Sequence, residues 1–220
     1  MNINKHLILL FSVLFFLFAV SVSSGCFRKN ESDVKSVVRN ELDQLKNLDS
    51  ETTQKYIPYT ELFPDATENT DLTDEINETF SLFFRKFNYK ISDVIVGTAN
   101  HSATVSVKLT TIDSKVLARD FKAELLRTQI TESAQAQKGN IKDSSRSLEA
   151  HYLILNHLLN TNDYDTAETD CNIQLVNTGN DKKEKWKIQR TNSLEDDLVG
   201  GLMNDLTDPD ILSPEDTLLV

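Results

Sequence analysis

The chain has 220 residues, with 34 acidic against 23 basic side chains and a formal net charge of −11. That surplus repels phosphate backbones and anionic headgroups, which argues against a nucleic-acid partner and against a domain lying flat on a membrane. Cysteine use is sparse, at Cys26 and Cys171 only.

Lys5 and His6 supply a short basic start, and Leu7 to Val20 then runs fourteen residues with only Ser12 breaking the apolar character. A spanning helix needs about 20 apolar residues. The run is short for that, and the small residues Ser21, Ser23, Ser24 and Gly25 follow it, so residues 1–25 read as a signal peptide. The competing reading is an uncleaved anchor stretched over Leu7 to Cys26.

Val22-Ser23-Ser24-Gly25-Cys26 resembles the lipobox of bacterial lipoproteins. The resemblance implies a diacylglycerol on the Cys26 thiol, removal of residues 1–25 and a lipidated N-terminus on the extracytoplasmic face of the cell membrane. Ser24 and Gly25 match the family; Ser23 departs from its usual aliphatic residue, and ordinary cleavage after Ala19-Val20-Ser21 is the alternative. Two or more acyl chains anchor stably where one does not. Residues 26–31 would form a tether with a reach of ~20 Å at most. Loss of Lys5 with the leader takes the net charge to −12, and Cys171 is then a lone thiol.

From Ser32 or Asp33 to about Leu48, apolar residues recur three and four apart (Val34, Val37, Val38, Leu42, Leu45, Leu48), which predicts an amphipathic helix. A short helical piece is expected around Glu51 to Tyr56, ended by Pro58. After an ordered connection through Leu62 and Phe63 to Leu72, Thr73 or Asp74 should cap a helix carrying Ile76, Phe80, Phe83, Phe84 and Phe87. Those rings favour packing over a ligand cage.

Tyr89 to Val96 reads as a strand. Ala103, Val105, Val107 and Leu109 alternate with Thr104, Ser106, Lys108 and Thr110 in the next, joined by Gly97 to His101 as a hairpin. Ser114 opens a long helix through about Gln137, with Val116, Leu117, Phe121, Leu125 and Ile130 on one side. Lys138-Gly139-Asn140 interrupts it, and Ser144 or Ser145 begins another helix with Leu148, Tyr152, Leu155 and Leu159. Ala167 to Leu175 alternates again, placing Cys171 in step with inward Ala167, Thr169, Ile173 and Leu175. A turn at Asn177 to Asp181 leads to Trp186 and Ile188.

Ser193-Leu194-Glu195-Asp196 has capping-box spacing before a stripe of Leu194, Leu198, Leu202 and Leu206. Gly200-Gly201 inside it costs roughly 1 kcal/mol per glycine; a close approach and a helix break both account for the pair. Residues 207–220 read as a flexible acidic tail.

This order predicts one α+β domain over residues 32–206: a four-stranded antiparallel sheet of two hairpins with helices on one face. The arrangement resembles the NTF2-like and cystatin-like folds, in which a curved sheet wraps a helix and can leave a conical pocket. The resemblance rests on element order, not on a motif.

No Gly-rich phosphate loop, Cys-x-x-Cys pair, His-Glu-x-x-His site or Gly-x-Ser-x-Gly elbow occurs. His151 and His157 stand six apart, about 600° round a helix, a poor spacing for a shared metal. Enzymes among the NTF2-like folds often use a His and Asp pair inside the cone, whereas the inward positions expected here are Val105, Val107, Ile173 and Trp186. The expectation is a non-catalytic binding or interaction domain with no cofactor or metal. It would take an unnamed protein, peptide or small ligand, with Cys26 as its one assigned site. A pocket enzyme and a structural protein of the cell envelope are the other two readings.

Overall fold

A computed structural model of the chain describes residues 30–56, 62–63, 66, 72–97, 101–136, 147–179 and 184–211. Helix α1 covers residues 30–46. It is followed by α2 (Ser50–Tyr56), α3 (Thr73–Phe84), β1 (Asn88–Val96), β2 (Ser102–Ile112), α4 (Ser114–Ala136) and α5 (Leu148–Thr161). Strands β3 (Thr166–Asn177) and β4 (Trp186–Ile188), helices α6 (Asn192–Leu198) and α7 (Leu202–Thr207), and a 3-10 turn at Pro209–Ile211 complete the order. Cys26 and the leader lie outside the described residues.

The four strands form one open sheet in the order β1-β2-β3-β4. Its register follows from the backbone. The Asn177 amide donates to the His101 carbonyl and that of Asp113 to Asp165, each at 2.9 Å. Both ends therefore give one antiparallel pairing, with Thr104 opposite Gln174 and Ser106 opposite Asn172. β3 pairs β4 with Leu175 opposite Ile188. In β1 the exposure pattern changes phase at Ser92–Asp93.

By backbone proximity the chain divides into two compact units. In the unit holding Asp93–Val105 and Ile173–Gln189, the Gly97 amide donates to the Ser102 carbonyl at 2.9 Å and closes the β1–β2 hairpin. Ala103, Val105, Ile173, Leu175 and Trp186 are buried there, as are Val34 and Val38 of α1. On the strands' other side Thr104 Oγ1 donates to Gln174 Oε1 at 2.9 Å.

The unit of Asn40–Ser92, Ser106–Asn172 and the chain from Arg190 has a core rich in aromatic rings. Phe80, Phe83, Phe84 and Phe87 are all buried, with the Phe84 and Phe87 rings 5.3 Å apart. Phe63 stacks on Phe121 at 5.2 Å and meets Tyr152 edge-on at 5.4 Å. Such rings supply large apolar areas, each Å² contributing about 25 cal/mol on removal from water.

Several helix ends differ from expectation. α1 ends with the Asp49 amide on the Gln44 carbonyl and the Leu48 amide on that of Leu45, a Schellman closure in which Leu48 takes φ 62°. α3 has Leu72 in its N-cap position, one residue before the expected Thr73 or Asp74, with no side-chain cap bond. α5 starts at Leu148 with Ser147 accepting from the Ala150 amide, later than the expected Ser144 or Ser145. Ile130, expected on the core side of α4, is 61% exposed; the periodicity marks a face but not how far the core extends along it.

The stripe after β4 is two helices. Thr191, not Ser193, caps α6, accepting from the Leu194 amide, while Glu195 is buried and takes Arg190 Nε and Nη2 at 2.9 and 2.6 Å. Gly200 (φ 68°) and Gly201 (φ 92°) then break the helix. The chain is ordered past the expected start of its tail. Lys122 Nζ donates to the Asp205 carbonyl at 3.0 Å and to that of Asp208.

Candidate functional site

Helices α3 and α5 run parallel, which their side-chain bonds make plain. Near their middles Thr79 Oγ1 donates to Asn156 Oδ1 at 2.5 Å, and Asn156 Nδ2 donates to the Glu75 carbonyl at 3.3 Å. Beyond both C-terminal ends Lys86 Nζ donates to Asp163 Oδ1 at 2.5 Å and to the Tyr164 carbonyl at 2.6 Å. Two parallel helices bring two partially negative ends together, an arrangement that a cation offsets. Lys86 supplies that cation.

A half-open cavity of about 220 Å³ lies at these ends. Leu82, Ile112 and Leu159 line it with hydrocarbon; Arg85, Lys86 and the chain from Asn160, at the end of α5, to Tyr164 supply the polar wall. Ile112, Leu159 and Tyr164 are buried, whereas Arg85 and Asp163 are exposed. Tyr164 Oη accepts from Asn162 Nδ2 and donates to Asp120 Oδ2, both at 3.1 Å. Burial, with the Asp120 charge beside it, pushes the phenol up to about 12. The Lys86 hydrogen bond holds the Asp163 carboxyl below its ordinary value. The pair carries little stability of its own, because Asp163 is 93% exposed.

A second group of polar side chains sits where α6 turns into α7. Asp196 accepts from the Met203 and Asn204 amides at 2.9 and 3.2 Å and from Asn204 Nδ2. It thereby caps α7, whose own N-cap is Gly201. Ser114 Oγ lies 2.6 Å from both the Gly200 carbonyl and Asp205 Oδ2. Burial raises the carboxyls of Asp196 and Asp197. It raises the Cys171 thiol as well, reinforced by the charge of Asp197 beside it. Cys171 is thus a buried thiol held in its unreactive protonated form. These groups satisfy one another and hold the corner.

The inward positions read from alternation (Val105, Val107, Ile173 and Trp186) are all buried. The three histidines beyond the leader do not come together. His101 and His157 are exposed, and His151 donates from Nδ1 to the Ser147 carbonyl at 2.7 Å while packing on Phe63 and Phe121. Among the described residues no group of His, Cys, Asp and Glu is placed to hold a metal ion, and no described helix is long and apolar enough to cross a membrane.

The cavity at the ends of α3 and α5 is absent from the sequence reading. Its local signal is two basic residues, Arg85-Lys86, directly after a helix, together with the polar run Asn160 to Asp163 across the end of another. Both mark C-terminal ends, but nothing in either stretch says that the ends meet. No protein-family model matches the chain, and no curated protein or solved structure does so either.

Proposed function

We propose that this chain is an exported bacterial lipoprotein, held at the extracytoplasmic face of the cell membrane by fatty chains on Cys26, whose α+β domain is a non-catalytic binding or interaction module. The leader from Leu7 to Cys26 carries the proposal: a short apolar run, small residues after it, and a cysteine where a lipidated terminus belongs. The acidic domain suits this place, since its charge keeps it off anionic headgroups while the acyl chains hold it near them. An NTF2-like or cystatin-like arrangement is the finer fold proposed, supported by the succession of helices, hairpin, helix pair, strand pair and closing helices. The inner strand positions are filled by hydrocarbon instead of paired acid and base groups, which favours binding over chemistry.

Metabolic labelling with radioactive palmitate tests the anchor. Label is expected on the wild type and not on Cys26→Ala, and equal labelling of the two would refute it.

A further inference from the structure

We propose that the cavity where α3 and α5 end is a seat for a small monocarboxylate carrying a slim apolar body. The inference deepens the reading of the domain as a binding module and rests on it, but not on the anchor. It starts from size. About 220 Å³ is the share of roughly seven liquid waters at ~30 Å³ each, room for a molecule of six to ten heavy atoms and little more.

The lining divides by chemistry. Ile112 and Leu159 are buried and Leu82 is half-buried, so the inner wall offers hydrocarbon to an alkyl group, each CH₂ covered contributing about 0.8 kcal/mol. Cations occupy the outer wall. Two of the three donors of the Lys86 ammonium are taken by Asp163 and the Tyr164 carbonyl, which leaves one. Arg85 is exposed, and its charge acts on Asp163 without a direct hydrogen bond among the described residues. Its planar fork matches a carboxylate through two parallel bonds.

Charge then decides between ligand classes. The converging helix ends attract a cation, but Lys86 already fills that place, so a second cation would meet Lys86 and Arg85 together. A dianion such as phosphate would meet Asp163 at the same mouth. A single negative charge meets Asp163 with less repulsion than a dianion does, and Arg85 together with the spare Lys86 donor offsets it.

The carboxylate could belong to a free short-chain acid or to the C-terminus of a peptide, and the test separates these sources. The full chain as purified from its own cells would be titrated with hexanoate, with N-acetylalanine as a peptide-end mimic, and with hexylamine, following the methyl signals of Ile112 and Leu159. One or both acids should shift these signals with a dissociation constant of about 1 mM, and hexylamine should not. Arg85→Gln, at an exposed position, should raise that constant at least about tenfold while the Leu155 methyl signals stay in place as a check on folding. Shifts with hexanoate alone name the free acid; shifts with N-acetylalanine alone name the peptide end. The proposal is overturned if neither acid shifts the signals at about ten times that concentration, if hexylamine shifts them equally, or if Arg85→Gln binds like the wild type. Labelling of Cys26 reads a different chemistry, so failure of the seat and failure of the anchor are told apart.

Discussion

A Cβ placed on Gly200 would lie 2.2 Å from Oγ1 of Thr111, so the last residue of β2 but one and the break between α6 and α7 occupy one another's space. Gly200 also stands at φ 68°, where an L side chain is strained. The close approach leaves the Thr111 hydroxyl buried with no hydrogen-bond partner among the described residues. Gly200→Ala should therefore cost about 3 kcal/mol or more, combining overpacking with backbone strain. Thr111→Val, which swaps an unsatisfied hydroxyl for a methyl, should gain about 1 kcal/mol. Urea unfolding reads both, and a neutral Gly200→Ala would mean that the two elements do not touch.

Leu48 offers the opposite case. It ends α1 in the left-handed region at φ 62°, yet 44% of it is exposed, so its side chain returns little for the strain. Leu48→Gly should raise stability by roughly 1 kcal/mol, because glycine adopts this conformation at no steric cost. A fall in the melting temperature on this change would show that the leucine side chain contributes more than its exposure implies.

The corner at α6 makes stability depend on pH. Burial raises the Asp197 carboxyl, and the bond from the Cys171 thiol offsets this only in part. A carboxyl raised on folding binds its proton more tightly in the folded state. Its contribution is thus most favourable in acid and is lost as pH rises through the folded value. Asp197→Asn removes the ionisation and keeps an oxygen for the Cys171 thiol. The variant should melt above the wild type at about pH 8, with the gap closing towards about pH 4. A gap that is constant or widens in acid would contradict this assignment.

Alternation made the sheet readable. Ala103 to Leu109 and Ala167 to Leu175 carry period-two patterns whose inward members are buried or half-buried, Cys171 included. Helix spacing located the helices but not their ends. Leu194, Leu198 and Leu202 keep a spacing of four and are all buried although the helix breaks among them, so periodicity alone hides the turn at Gly200-Gly201. The cavity was illegible for another reason. It depends on α3 and α5 pairing in parallel through Thr79 and Asn156, 77 residues apart in sequence, and no local pattern encodes a partner so distant. Cys26 was legible only as chemistry, since it lies in a stretch outside the described residues.

Mass spectrometry of the N-terminal peptide from the protein purified out of its own cells bears most directly on the whole account. The account predicts a first residue of Cys26 whose sulfur carries a diacylglyceryl group, with residues 1–25 gone. A protein beginning at Met1, or one with a free thiol at Cys26, would contradict it.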